Sequence, residues 1–237
     1  MSELEKNGTN SNSGEAVRLF VLPALVIALF ELFLGASVCK SGMSLPEVIS
    51  KMYEEYLVII LLLYTVVSVV LFPMTISFFH RNGKKLRQYF FRKEGRWKDI
   101  LLGVLAGIVP YTAVTLIYDV MIYGSVAGYG DKSMLPLDII STVFVSGFFK
   151  EIYFRGIPYI FLKDKMGEWP AFLLGNLCFA ILDWPNLGLS FLLGGAWYLF
   201  YRKRGSLIIP VIAHGLYNLL IILGSLGAFH FLGLVVK

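Results

Sequence analysis

Polar and charged side chains occur within segments of this sequence that are otherwise apolar. Six of them fall in three such segments: Lys150, Glu151, Arg155, Asp183, His214 and Asn218. Imidazole and carboxylate groups can move protons or hold a metal ion, and an amide can donate to a developing oxyanion. Such a set suits a catalytic site, a transport site or a structural network, and its spacing alone does not decide among these.

Helical spacing predicts which of these groups can meet. Glu151 and Arg155 are four residues apart, as are His214 and Asn218, so each pair shares a helix face. Lys150 points about 100° away from Glu151 around the same helix. Because an unpaired charge facing lipid is costly, we expect the polar groups to meet in one interior cavity.

The segments that must position these residues are membrane helices. The chain is 57% hydrophobic and only 16% charged, and the run 56–79 carries no charged side chain. About 20 apolar residues span a bilayer, and their backbone must be satisfied within the helix. The sequence predicts an all-α polytopic membrane protein with seven to eight transmembrane helices around a polar cavity. The seven predicted spans are 19–38, 56–79, 100–123, 137–162, 170–183, 187–201 and 206–223, and 228–236 is a short eighth piece.

Charge distribution predicts the domain organisation and the orientation. Residues 1–17 are interpreted as a disordered cytoplasmic tail and 18–237 as a single transmembrane domain. The basic stretches 80–98, 155–165 and 202–204 all fall on the side of the N-terminus, which the positive-inside rule makes cytoplasmic. We therefore expect a multi-pass cell-membrane protein. Its net charge of +5 is explained by this topology, so the bilayer is its expected partner and nucleic acid is not.

Other residues receive structural interpretations. Glu31, Asp119 and Asp138 are expected to form structural pairs or to reach the membrane surface. The indoles are expected at interfaces or in packing: Trp97, Trp184 and Trp197. The two cysteines indicate no disulfide framework.

Three short motifs point to a family. Residues 150–156 read Lys-Glu-Ile-Tyr-Phe-Arg-Gly, 179–183 read Phe-Ala-Ile-Leu-Asp, and 214–218 read His-Gly-Leu-Tyr-Asn. In this order the chain resembles, over about 137–223, the CPBP family of CAAX proteases and bacteriocin-processing proteins, also called Abi. These intramembrane metalloproteases carry Glu-Glu-x-x-x-Arg, Phe-x-x-x-His and His-x-x-x-Asn.

The resemblance implies roles for the matching positions. In the family a glutamate is thought to activate water, histidines to bind metal or polarise the peptide, and an asparagine to stabilise the oxyanion. The motif positions that remain here are Glu151, Arg155, His214 and Asn218. Lys150 stands in place of the first glutamate and Asp183 in place of a histidine, so His214 and Asp183 would be the remaining metal ligands.

The two replacements predict a protein that has lost proteolysis. We expect a Lys150–Asp183 ion pair across the site and a second pair between Glu151 and Arg155. The predicted function is a pseudoprotease that binds or regulates a membrane or cell-envelope partner, with no cofactor expected. One alternative is an active CAAX-type or bacteriocin-processing endopeptidase with altered catalytic residues, which would use zinc. Another alternative is a transporter or channel element.

Overall fold

The secondary structure of the described residues is entirely helical. The computed structural model describes residues 3–90, 95–114 and 132–228, with side chains from Ser13 onward. The helices are α1 (Glu3–Val38), α2 (Leu45–Arg81), α3 (Arg87–Phe90), α4 (Arg96–Thr112), α5 (Lys132–Met166), α6 (Glu168–Ile181), α7 (Leu187–Arg204) and α8 (Ile208–Ser225). No strand occurs in these ranges, so the predicted all-α class is confirmed.

Four helices in the described part of the chain are long and apolar enough to cross a membrane. They are α1 from Ser13, α2, α5 and α8. A fifth candidate is the pair formed by α6 with the segment Trp184–Arg204, which bends by 112° at its break. The described residues therefore offer four or five candidate spans, and part of the predicted span 100–123 lies outside them.

The helices α6 and α7 form a hairpin over the two segments that the sequence predicts as spans, 170–183 and 187–201. α6 is about 21 Å long at 1.5 Å per residue, which is short of the roughly 30 Å of hydrocarbon. Glu168 at the start of α6 pairs with Arg202 near the end of α7. Both ends of the hairpin therefore lie at the same end of the bundle. Pro185 explains the bend, because proline lacks the backbone N–H that a continuous helix needs.

Two further predictions concern the ends of segments. The predicted third span, 100–123, is helical through Thr112, and its remainder with Asp119 lies outside the described residues, as does 229–236. α1 begins at Glu3, so the stretch predicted as a disordered tail is helical from that residue. Glu15 explains part of this difference, because its carboxylate pairs with Arg81 of α2.

The basic stretches gather at one end of the helical bundle. Arg204 pairs with Asp99 at 2.8 Å, which joins α7 to α4. The Nζ of Lys84 donates to the carbonyl of Ile160 at 2.9 Å, which joins the turn after α2 to α5. Among the described basic residues of these stretches, Arg155 alone is buried within the bundle.

Helix α8 lies in close contact with both α4 and α5. A Cβ added to Gly107 of α4 would lie 2.8 Å from the carbonyl oxygen of Ala213. A Cβ added to Gly147 of α5 would lie 3.0 Å from the Cα of Gly215. Small residues allow this backbone approach, as they do at many membrane helix interfaces. The two contacts hold the α8 segment around His214 deep in the bundle.

Candidate functional site

A cavity of about 270 Å³ lies between α2, α5, α8 and the α6–α7 hairpin. Four of the six predicted site residues line it: Lys150, Asp183, His214 and Asn218. Asp138, which the sequence analysis treats as structural, also lines it, together with serine, threonine and tyrosine hydroxyls: Tyr53, Tyr64, Ser141, Thr142, Ser146, Ser190 and Tyr217. Polar groups from the three predicted segments therefore meet in one interior space.

Helix α5 carries Lys150 and Glu151 in an unusual setting. The turn Gly147–Glu151 is α-helical, but it is flanked by π-helical stretches at Ile139–Ser146 and Ile152–Gly156. π-helical turns are rare and frequently occur at functional sites. Here they surround the motif residues and place one wall of the cavity on a single continuous helix.

Glu151 joins two helices from a position with no solvent exposure. Its Oε2 accepts a hydrogen bond from Nη1 of Arg155, and this is the predicted ion pair. Its Oε1 lies 2.7 Å from Nδ1 of His214 on α8. Both carboxylate oxygens are therefore engaged with protein groups. Helical spacing predicted the first contact but carries no information on the second, which joins residues of different helices.

Arg155 is enclosed by the α6–α7 hairpin. Its Nε donates to the carbonyl of Gly194 at 3.3 Å, and its Cζ lies 4.2 Å from the ring centroid of Phe179. A Cβ at Gly194 would lie 2.8 Å from Nη2 of Arg155 and 2.2 Å from Oδ1 of Asn176. Glycine at this position therefore makes room for the guanidinium and the neighbouring amide.

His214 is fixed by aromatic neighbours as well as by Glu151. Its ring stacks on Trp197 with centroids 5.0 Å apart and meets Phe179 edge-on at 5.4 Å. Trp197 is buried, and its Nε1 donates to the carbonyl of Ala106 at 3.0 Å. With Nδ1 beside a carboxylate, the hydrogen-bond pattern assigns the proton to Nδ1 and leaves Nε2 as the ring nitrogen that can face the cavity.

Lys150 does not form the predicted ion pair with Asp183. No Lys150–Asp183 contact within 4 Å occurs among the ion pairs of the described residues. The Nζ of Lys150 lies 4.7 Å from the ring centroid of Tyr64 and 6.0 Å from that of Phe179. Attraction to the ring faces takes the place of the expected carboxylate contact.

Asp183 stabilises the bend of the hairpin. Its Oδ2 accepts a hydrogen bond from the hydroxyl of Ser190, and its Oδ1 lies 3.3 Å from Nδ2 of Asn186. Asn186 directly precedes α7 and Ser190 lies in its first turn, so both hydrogen bonds tie Asp183 to the chain that follows the bend. The replacement carboxylate therefore stabilises the local turn, and it lies within electrostatic range of Lys150 without contacting it.

Asn218 is also tied to the protein. Its Nδ2 donates to the backbone carbonyl of Thr142 at 2.8 Å, within the first π-helical stretch of α5. This bond uses one of its two amide N–H donors and connects α8 to α5.

The cavity does not suit a zinc ion. Within the described ranges, no three histidine, cysteine, aspartate or glutamate side chains come together in a way that could hold a metal. Of the predicted ligands, His214 could offer only Nε2, and both carboxylate oxygens of Asp183 are already in protein contacts. The ammonium of Lys150 lines the same space and would repel a cation. The donor set present therefore does not fit the metal that the family resemblance implies.

Sequence reasoning missed two residues beside the cavity. Tyr64 lies in an uncharged span, yet its hydroxyl donates to the carbonyl of Leu182 and its ring lies under Lys150. Glu31 was interpreted as a structural charge, but it is fully buried next to Tyr64 with no ion pair in the described residues. A charge in the middle of an apolar run was the available signal for Glu31, whereas nothing distinguished Tyr64 from other tyrosines.

Comparison with known proteins supports the resemblance. The family model described as Type II CAAX prenyl endopeptidase Rce1-like matches residues 132–220. The match begins with α5, ends within α8 and contains all six predicted site residues, which confirms the resemblance to the CPBP family over this segment. No curated protein and no solved structure matches the chain at a significant level.

Proposed function

We propose that this protein binds a membrane or cell-envelope protein in its cavity without cleaving it. Its residues 132–220, which match the Type II CAAX prenyl endopeptidase Rce1-like family model, form most of that cavity. The observation that carries the proposal is Lys150. It stands where the family resemblance expects a water-activating glutamate, and its ammonium lines the cavity. A charged ammonium has no lone pair to accept a proton from water.

The other groups that hydrolysis would need are engaged elsewhere. The two oxygens of Glu151 contact Arg155 and His214, and this side chain is fully buried behind the cavity wall. Asp183 is held by the hairpin, and Asn218 already donates to a backbone carbonyl. These contacts support a site that keeps the helices and motif positions of the family, while its polar side chains stabilise the packing of those helices.

The shape of the cavity favours a partner that arrives from the bilayer. Helix α2 packs along α1 and the start of α5 in the described structure. Apolar side chains of α2, α7 and α8 line the cavity, including Ile60, Leu193 and Ile222. The volume of about 270 Å³ is below the 300–1,000 Å³ of sites that enclose a drug-sized ligand. A few side chains of a partner helix suit it better than a whole peptide.

We also propose that the protein lies in the cell membrane with its basic end and N-terminus in the cytoplasm. The gathering of the three basic stretches at one end of the bundle supports this orientation under the positive-inside rule.

Site-specific photocrosslinking tests the binding proposal. A photoreactive phenylalanine that replaces Leu193 should face the cavity, because Leu193 lines it. One that replaces the adjacent Leu192, which is 72% exposed, should face lipid. In native membranes we expect a discrete protein adduct from position 193 and not from position 192. The same adducts from both positions, or no protein adduct from position 193, would contradict the proposal.

A second candidate function is an active peptidase with altered chemistry. The observation in its favour is the 2.7 Å contact between Glu151 and Nδ1 of His214. A carboxylate in this position orients an imidazole and can make its Nε2 a general base. In this candidate His214 would take a proton from water.

A further inference from the structure

Glu31 is a buried carboxylate without a partner. It lies on α1, outside the segment that matches the family model, and its relative exposure is 0%. Neither Oε1 nor Oε2 has a hydrogen-bond partner in the described structure. An ionised carboxylate so placed would lose its hydration, and the neutral Tyr64 and Trp184 side chains beside it would be its nearest donors.

The charges around Glu31 do not balance. Its electrostatic neighbours are Lys150 of α5 and Asp183 of the hairpin bend, and its polar neighbours are Tyr64 of α2 and Trp184. Tyr53 of α2 also lies within electrostatic range of both carboxylates. One lysine therefore faces two carboxyl groups, and neither carboxyl group is within 4 Å of its ammonium.

The neutral groups beside Glu31 do not supply the missing charge. The hydroxyl of Tyr64 donates to the carbonyl of Leu182, and Nε1 of Trp184 makes no hydrogen bond in the described structure. The nearby Glu151 and Arg155 already neutralise one another. At membrane depth the surplus negative charge of this cluster calls for one additional cation, and a proton is the cation that needs no room.

We propose that Glu31 is a proton-binding site and carries a proton in the folded protein at neutral pH. With Glu31 neutral, Asp183 is the remaining carboxylate that balances the charge of Lys150. The ammonium of Lys150 then stays over Tyr64 beside the cavity. Loss of the proton would create a carboxylate that attracts the same ammonium toward α1. The protonation state of Glu31 on α1 thus influences the position of Lys150 in the cavity wall.

Infrared spectroscopy of the purified protein tests the proposal. At neutral pH the wild-type protein should show the carbonyl band of a protonated carboxylic acid. Glu31→Gln should abolish that band, while Asp183→Asn and the exposed control Glu55→Gln should retain it. A wild-type spectrum without the band overturns the proposal without recourse to any variant. Loss of the band in Asp183→Asn, with retention in Glu31→Gln, overturns it by assigning the proton to Asp183.

The pH dependence of unfolding gives an independent check. The folded protein would hold a proton that the unfolded chain releases above the ordinary carboxyl range, so stability should fall as pH rises from about 5 to 8. The unfolding equilibrium constant of the wild type should rise relative to that of Glu31→Gln by up to about tenfold per pH unit. A constant ratio between the two proteins over this range would contradict the proposal.

Discussion

The carboxylate of Glu151 lies 2.7 Å from the imidazole of His214, and through this contact α5 and α8 share one buried polar network with Arg155. All three side chains are at most 5% exposed. The network occupies the heart of the segment that matches the Type II CAAX prenyl endopeptidase Rce1-like family, yet it leaves Glu151 no free oxygen. We therefore interpret the network as a structural contact between α5 and α8.

Removing the charge of Glu151 should therefore destabilise the protein. Glu151→Gln leaves the Arg155 guanidinium buried without its counter-charge, which typically costs roughly 3–5 kcal/mol. Thermal denaturation in detergent measures the loss, and protein level in the membrane should fall in parallel. Glu55→Gln is the matched control, because Glu55 pairs with Lys51 at an exposed site and should matter by less than about 1 kcal/mol. Equal stability of the two variants would exclude a structural role for Glu151.

Double-mutant cycles should separate contact from proximity. Glu151 and Arg155 touch, so truncating both should show a coupling energy of about 2 kcal/mol or more. Lys150 and Asp183 share the cavity without an ion pair, so their coupling should be below about 1 kcal/mol. Chemical or thermal unfolding of both variant sets in one detergent gives the comparison. Stronger coupling for Lys150 with Asp183 would restore the direct pair predicted from the sequence.

Gly194 should resist substitution because the polar network lies against it. A Cβ there would lie 2.2 Å from Oδ1 of Asn176, so Gly194→Ala should force a shift costing about 1–3 kcal/mol. Gly195→Ala is the control on the same helix, where the nearest atom, of Phe172, lies at 3.7 Å. The control should be neutral or stabilising by up to about 1 kcal/mol, since alanine favours helix. Matching melting temperatures for the two variants would show that the contact is not tight.

These results show which features the sequence could reveal. Apolar runs predicted the helical class, and the spacing of Glu151 and Arg155 predicted their pair, because both are properties of a single helix. The Lys150–Asp183 pair was wrong because it assumed that opposite charges on neighbouring segments must meet. The sequence carried no signal that the Asp183 carboxylate would accept a hydrogen bond from Ser190 of α7 instead of pairing with Lys150. Hydropathy located the two apolar segments of the hairpin but carries no information on the 112° angle at their break.

Orientation can be tested with a cysteine that the chain already has. Cys39 is exposed between α1 and α2, whereas Cys178 is buried. A membrane-impermeant thiol reagent should reach Cys39 from outside the cell. In a Cys39→Ser background, cysteines at Lys85 and Lys203 should react only from the cytoplasmic side, because both lie in the basic stretches. Labelling of Cys39 and of position 203 from the same side would contradict the proposed topology.

The central claim, that the family frame persists here without peptidase chemistry, is tested most directly by a cleavage measurement. The purified protein in liposomes is given a prenylated CAAX peptide, alongside His214→Ala, empty liposomes and an active peptidase of the family as positive control. We predict that the wild-type rate equals that of His214→Ala and of empty liposomes, because Lys150 cannot activate water and Glu151 is fully engaged. Cleavage by the wild type that is lost in a stably folded His214→Ala variant would contradict the account and establish His214 as a catalytic base.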